Sequence, residues 1–499
     1  MVMGTASDVG KSIISTALCR AFKRAGFRVA PFKSQNMSNN AAVCRDGGEI
    51  GSAQAVQAEA CGLEPSIHMN PVLLKPEGPV DCQVVIHGYP RFRMGARDVG
   101  RYRAEAWPAI LKSYQVLEEN FELIVVEGAG GAAEVNLRDR DVVNWPIAEL
   151  ADAPVLLVGD IDKGGVFAAL VGTLELLPDA DRKRIKGFLI NKFRGEKALL
   201  EPGLRFLEHR TGVPVLGVLP FLHKHGIPQE DSAALENVRM EAPLAPVTIG
   251  VVHLPRISNY TDFQPLEDEP DVAVNYLSDP STATALDVLI LPGTKSTAAD
   301  LTWLRWSGWE NFLVRHRRNG GWILGICGGY QMLGHRIVDN HRVESERAET
   351  IALGLLPVET IFQHEKITDR VTAKHLASGL QINGYEIHAG RVFSETASQA
   401  VFRVIERAGV ASDCLEGACS EDNRVIGTSI HGVFDCAAFR RRFIDTVRES
   451  KGLEALSREI LADAKTGRRL QLDRLANVLE EHVDMTRIAA LARLTGKDP

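Results

Sequence analysis

The stretch Gly320-Gly321-Trp322-Ile323-Leu324-Gly325-Ile326-Cys327-Gly328-Gly329-Tyr330-Gln331-Met332-Leu333 is the most specific in the chain. Its apolar run Trp322 to Ile326 reads as a buried strand, and the residues after Gly329 read as a helix. Between them stands Gly325-Ile326-Cys327-Gly328-Gly329, a G-x-C-x-G turn. Strand, tight glycine turn and helix make a nucleophile elbow, built here with sulfur in place of oxygen. The glycines permit the sharp turn, and the helix N-terminus behind the cysteine is expected to favour the reactive thiolate. A thiolate so placed is suited to attack an amide carbonyl.

Such a nucleophile needs a partner to hold its proton. Thr428-Ser429-Ile430-His431-Gly432-Val433-Phe434 supplies a histidine at the end of a short β-like run. Alone, His431 would read as a satisfied loop or core histidine; beside the elbow it reads as the base for Cys327. The oxyanion formed during attack calls for backbone donors. Gly328 N–H is one, and the strand-end loop Leu291-Pro292-Gly293-Thr294-Lys295-Ser296 offers a second.

Outward from this segment, short apolar runs alternate with amphipathic stretches, as in parallel α/β construction. Strands are expected at Phe27 to Phe32, Leu123 to Val126, Val155 to Val158, Ile185 to Ile190, Val247 to His253, Val288 to Leu291 and Trp322 to Ile326. The pattern breaks at Glu241 to Pro246, a Pro-rich linker, so 499 residues divide into domains at 1–240 and 247–440 with a helical segment at 441–499. A single core rarely grows past about 250 to 300 residues. In the terminal segment Leu470, Leu475, Val478, Leu479 and His482 fall near a helical period, which predicts one packed face.

The first residues carry a second motif. Val2-Met3 leads into Gly4-Thr5-Ala6-Ser7-Asp8-Val9-Gly10-Lys11-Ser12 and then an apolar helix, a P-loop one residue longer than usual between its glycines. Gly4, Thr5 and Gly10 shape a loop whose N–H groups face phosphate, Lys11 neutralises phosphate charge, and Ser12 is a hydroxyl ligand for Mg²⁺. ATP is the expected ligand. Acidic residues to complete the metal site are Glu127, at the end of the strand Leu123 to Val126, and Asp46, in Asp46-Gly47-Gly48-Glu49; Asp160 and Asp162 end another strand. Carboxylates at such strand ends face the ligand crevice, although solvated or helix-capping carboxylates read the same way. Asn191 follows the strand Gly187 to Ile190, where its amide reads an adenine edge or simply makes a turn.

Composition narrows the class. The 45% hydrophobic and 24% charged content is that of an ordinary globular protein. A net charge of −7 argues against a nucleic-acid binder. The N-terminus opens directly on the P-loop with no signal-peptide pattern, and no apolar run nears the roughly 18 residues of a spanning helix, so a cytoplasmic protein is expected. The eight cysteines form no C-x-x-C pair, which leaves neither a zinc site nor a disulfide framework to expect.

Taken with Ala30-Pro31-Phe32-Lys33-Ser34-Gln35-Asn36-Met37, Met69-Asn70-Pro71-Val72-Leu73-Leu74-Lys75-Pro76, Asn136-Leu137-Arg138-Asp139 and Gly384-Tyr385-Glu386-Ile387-His388, these motifs resemble the cobyric acid synthase family over nearly the whole chain. The resemblance implies a dethiobiotin-synthetase-like domain followed by a class I glutaminase-like domain. It implies Mg²⁺ on Ser12, Asp46 and Glu127, a Cys327–His431 glutaminase pair with glutamine as ammonia donor, and ATP-dependent amidation of the b, d, e and g carboxylates of adenosylcobyrinic acid a,c-diamide. Lys33, Gln35, Asn36 and Arg138 are candidate contacts for that carboxylate-rich corrinoid. Class I glutaminases usually carry His-Pro-Glu, whereas this chain has His431-Gly432-Val433, so the group that orients His431 is open. The sibling cobyrinic acid a,c-diamide synthase is the nearest alternative, and a nucleotide-switched P-loop binding protein is one of another class. Oligomeric state is not legible.

Overall fold

Val2–Gly4, only three residues long, lies in the middle of a sheet. On one side it pairs in parallel with Val155–Asp160, Val2 opposite Leu156, and beyond that come Ile185–Phe193 and Val215–Pro220. On the other side a parallel bridge from Val2 to Glu127 and the bond from Gly128 N–H to Val2 O (2.9 Å) attach Leu123–Val126, itself parallel to Val29–Phe32. Strands covered on both faces are apolar throughout rather than alternating. That is why Val155-Leu156-Leu157-Val158 is buried at every position and was readable as a strand. The structure, a computed structural model, describes residues 1–45, 47–78, 81–95, 98–222, 245–394, 399–456 and 463–494. Asp46 and the linker residues before Ala245 lie outside them.

From Val247 a second parallel sheet is built in the order Val272–Leu277, Val247–Val252, Val288–Leu291, Trp322–Ile326, Val425–Thr428, closed by the antiparallel Ala418–Cys419. The strand-rich stretch ahead of His431 forms an antiparallel sheet around two long strands, Val358–His375 and Gln381–Ser394, extended by Phe402–Arg407 and Val410–Glu416.

The Arg-rich helix Ala437–Ser450 turns charge inward. Arg441 is buried and meets Asp271 through two bonds of 2.8 and 3.0 Å, with Asp445 and Glu269 beside it. The helix Ala464–His482 returns to the first domain and packs on Lys11–Arg24, with Arg20 paired to Asp473 at 2.7 Å. Its buried face is Leu472, Leu475, Ala476 and Leu479, whereas Leu470, expected on that face, is 67% exposed. Leu475 and Leu479 are buried on the expected face, and Val478 and His482 flank it partly buried.

The two domains meet on a seam with an apolar part and a charged part. Ile387 is buried among Ala41, Val43, Leu73 and Val85, with Tyr385 against them. Beside it, buried Glu49 receives Lys75 and Lys366, each at 2.5 Å. Burial would raise the Glu49 pKa, but Lys366 and Lys75 outweigh it and hold the carboxyl down to about 2. Burial dominates at Lys366, whose pKa falls to about 7 despite Glu49.

Candidate active site

The loop Gly4 to Ser12 is locked from several sides. A Cβ on Gly4 would come within 2.5 Å of Val9 Cγ2, and Gly10 stands at φ 101 against the Asn191 carboxamide, so neither position accepts a side chain without rearrangement. Thr5 N–H donates to Val158 O (2.9 Å), and Asn191 Nδ2 donates to Val9 O (2.8 Å). The Asn191 amide thus braces the loop. Lys192 Nζ reaches Asp8 O (2.7 Å) and Asp160 (2.8 Å), and Asp162 pairs with Arg194, so both of these carboxylates are taken by basic neighbours.

Lys11 Nζ donates to Ala6 O and Gly130 O, both at 2.9 Å, across the mouth of the loop. Ser12 Oγ donates to Glu127 Oε1 at 2.8 Å. Glu127 is fully buried and also meets Lys33 Nζ (3.0 Å) and Gln57 Nε2 (2.5 Å). Burial would raise its pKa, yet Lys33, Gln57 and Ser12 keep the carboxyl below the usual range, so it is anionic. An anionic carboxylate oxygen beside a hydroxyl is an oxygen donor pair of the kind hard cations take. Among the described residues no three His, Cys, Asp or Glu cluster as a metal cage.

Of the four candidate corrinoid contacts, Lys33 and Asn36 are buried on internal partners, Glu127 and Gln54 respectively. Gln35 accepts from Tyr102 and Arg138 pairs with Asp181.

At the second site, Trp322–Ile326 delivers Cys327 into φ 51, ψ −109, a left-handed strained turn for a side chain with a Cβ. Gly329 behind it closes on Leu291 O, and a Cβ on Gly328 would come within 2.6 Å of Thr294 Cγ2, so the elbow is pressed against the loop after Leu291. Cys327 Sγ lies 3.7 Å from Ile387 O. His431 is 1% exposed. Its Nδ1 is 2.7 Å from Asp262 Oδ2, and Asp262 Oδ1 accepts Gly432 N–H at 3.0 Å. Burial would lower the His431 pKa, but the Asp262 carboxylate and the Cys327 sulfur lift it to about 10. The imidazole is therefore protonated at neutral pH, and its Nδ1–H is held on Asp262, which sets the ring plane.

One cavity of about 80 Å³ is lined by Cys327, His431, Gln331 and Glu344 of the second domain and by Asn39, Lys75 and Gln83 of the first. Its wall includes Lys366 and Lys295 as well. Burial raises the Glu344 carboxyl to about 7, against the pull of Lys295 and of the Thr297 N–H it accepts. Cys327, His431 and charged groups of both signs thus share one cavity at the seam.

Comparison with known proteins decides the family. Residues 1–230 match the CobQ/CobB/MinD/ParA nucleotide binding domain and residues 248–439 the CobB/CobQ-like glutamine amidotransferase domain. The chain is 49% identical to a cobyric acid synthase of Sorangium cellulosum, covering 100% of this chain and 98% of that one. It is 45% identical to one from Dehalococcoides mccartyi (98% of each) and 42% identical to one from Clostridium acetobutylicum (100% and 99%). The chain belongs to the cobyric acid synthase family.

Cobyric acid synthases are glutamine amidotransferase ligases that use glutamine and ATP on a corrinoid. The structure places Cys327 and His431 on one side of the seam and the P-loop with Glu127 on the other. Among the described residues no helix is long and apolar enough to cross a membrane. Asp262 is the residue that sequence reasoning missed. It lies in the turn Tyr260–Phe263, separated by a loop from the end of Val247–Val252, and no local motif marks it.

Proposed function

We propose that this chain hydrolyses glutamine at Cys327 and uses the ammonia to convert carboxylates of a corrinoid to amides at the expense of ATP. The observation that carries the reading is the His431–Asp262 pair behind a Cys327 held on a strained elbow, in a chain of this family. Cys327 attacks the glutamine carboxamide as the thiolate. Gly328 N–H and the loop Pro292-Gly293-Thr294 receive the oxyanion. His431 donates its proton to the departing nitrogen, and water then attacks the thioester with His431 as base. Asp262 orients His431 throughout and replaces the glutamate of the usual His-Pro-Glu arrangement.

In the first domain, Gly4, Thr5 and Gly10 shape the phosphate loop, with Lys11 against the phosphoryl oxygens. Ser12 and Glu127 would hold Mg²⁺, which when bound neutralises phosphate charge; Asp46 is proposed as a further ligand from the family pattern. A carboxylate is a poor electrophile at neutral pH, so its phosphorylation to an acyl phosphate comes first, and ammonia then displaces phosphate. Free ammonia is mostly protonated near neutral pH, so a protected passage from the seam cavity to the phosphate crevice is part of the proposal. By family likeness the substrate is adenosylcobyrinic acid a,c-diamide and the targets its b, d, e and g carboxylates.

Cys327→Ser tests the division of labour. Glutamine-dependent amidation and glutamate release are expected to fall at least about 1,000-fold, with amidation restored by ammonium salts. Glutamate release at the wild-type rate in this variant would overturn the assignment.

A further inference from the structure

The motif Gly384-Tyr385-Glu386-Ile387-His388 has no role in the chemistry above, yet it lies between the cysteine–histidine pair and the ATP domain. The Tyr385 ring stacks on the His431 imidazole, with centroids 5.2 Å apart and planes 13° apart. The two residues exchange backbone bonds, Tyr385 N–H to His431 O at 3.2 Å and His431 N–H to Tyr385 O at 2.8 Å. Two residues on, Ile387 O faces Cys327 Sγ. Alternate residues of a strand share a face, and the side chains of Tyr385 and Ile387 both turn onto the ATP-domain cluster of Ala41, Val43, Leu73 and Val85.

The polar end of Tyr385 is held by Asn259. Asn259 Nδ2 donates to Tyr385 Oη (3.1 Å) and to Ala41 O (3.3 Å), while its Oδ1 accepts Ala41 N–H (3.2 Å). One carboxamide thereby grips both backbone groups of an ATP-domain residue. Asn259 is 4% exposed and sits at φ 52, a conformation that asparagine tolerates better than most residues. Its own carbonyl accepts Asp262 N–H at 3.0 Å, so the turn it begins presents the carboxylate that binds His431.

We propose that Asn259 is a positioning residue for glutamine hydrolysis: anchored on Ala41 of the ATP domain, it fixes both the ring on which His431 rests and the turn that carries Asp262. The inference rests on the glutaminase reading of Cys327 and His431. It makes the setting of the proton carrier depend on the docking of the two domains, through a residue that lines the cavity of Cys327 and His431.

The test uses full-length protein and reads glutamate release as separate kcat and KM values. Asn259→Gly keeps the left-handed turn and removes every side-chain bond; its kcat is expected to fall about 10- to 100-fold, with the KM for glutamine within about twofold. Tyr385→Phe keeps the stacked ring and loses only the hydroxyl, for an expected fall of about threefold to tenfold. The double variant should be no slower than Asn259→Gly, because the two act through one contact. Asn259→Asp retains an acceptor for Ala41 N–H and should recover part of the loss. Ala41→Pro, at the first residue of the strand Ala41–Val43 where proline is tolerated, removes that N–H from the ATP-domain side and should lower kcat severalfold. Wild-type kcat in both Asn259→Gly and Tyr385→Phe would overturn the proposal. So would a raised KM at constant kcat, which would make Asn259 a glutamine contact, and wild-type kcat in Ala41→Pro would remove the anchoring. Cys327→Ser run in parallel separates the two failures: glutamate release there would defeat the glutaminase reading itself, whatever Asn259 does.

Discussion

At the scale of single residues, the sequence marked Cys327 and His431 because each sits in a local pattern, a glycine turn after an apolar strand and a histidine at a strand end. Asp262 has no such pattern. It stands 169 residues before His431 and becomes its partner only when the strands Val247–Val252 and Val425–Thr428 enter the same sheet. Its weight can be measured through pH. The His431 pKa is lifted to about 10 although burial opposes it. A raised folded-state pKa means that the pairing favours the native state fully below about 6.5 and that this contribution is lost as pH rises through about 10. Asp262→Asn removes the leading cause that raises it. The expected result is a kcat about 100- to 10,000-fold lower, with the alkaline limb of glutamate release displaced downward by at least about one pH unit. An unmoved limb with near-normal kcat would show that Asp262 does not orient the histidine.

Elements were legible where their chemistry is repetitive. Parallel strands appeared as unbroken apolar runs, and the P-loop appeared through its glycines, lysine and serine. What the sequence did not disclose was how these elements brace one another. Asn191, a candidate adenine contact, gives its amide N–H to Val9 O, and the tail helix presents Leu472 rather than Leu470 to the first domain. Both depend on a neighbour remote in the chain. The loop provides its own test: Gly10→Ala places a methyl group at φ 101 against Asn191, a conformation that costs about 1–3 kcal/mol in a residue with a Cβ. ATP affinity by calorimetry should fall at least about 10-fold. Wild-type affinity would mean that the loop does not hold the nucleotide in the conformation described.

At the scale of the molecule, the division into a nucleotide half and a glutaminase half was visible as an interrupted and restarted strand–helix alternation. The seam was not. Glu49 lay in a marker segment and Lys366 in an undistinguished strand, and nothing in either predicted that they would meet with Lys75 in a buried ion cluster beside the cavity of Cys327. That cavity is walled by both domains. The most direct measurement is the mass of the corrinoid after adenosylcobyrinic acid a,c-diamide is incubated with the full-length protein, ATP, Mg²⁺ and glutamine. The account expects each of four carboxyl groups to become an amide, with one glutamate released per amide and no mass change when ATP is omitted. An unchanged corrinoid would contradict it, as would amides forming without ATP.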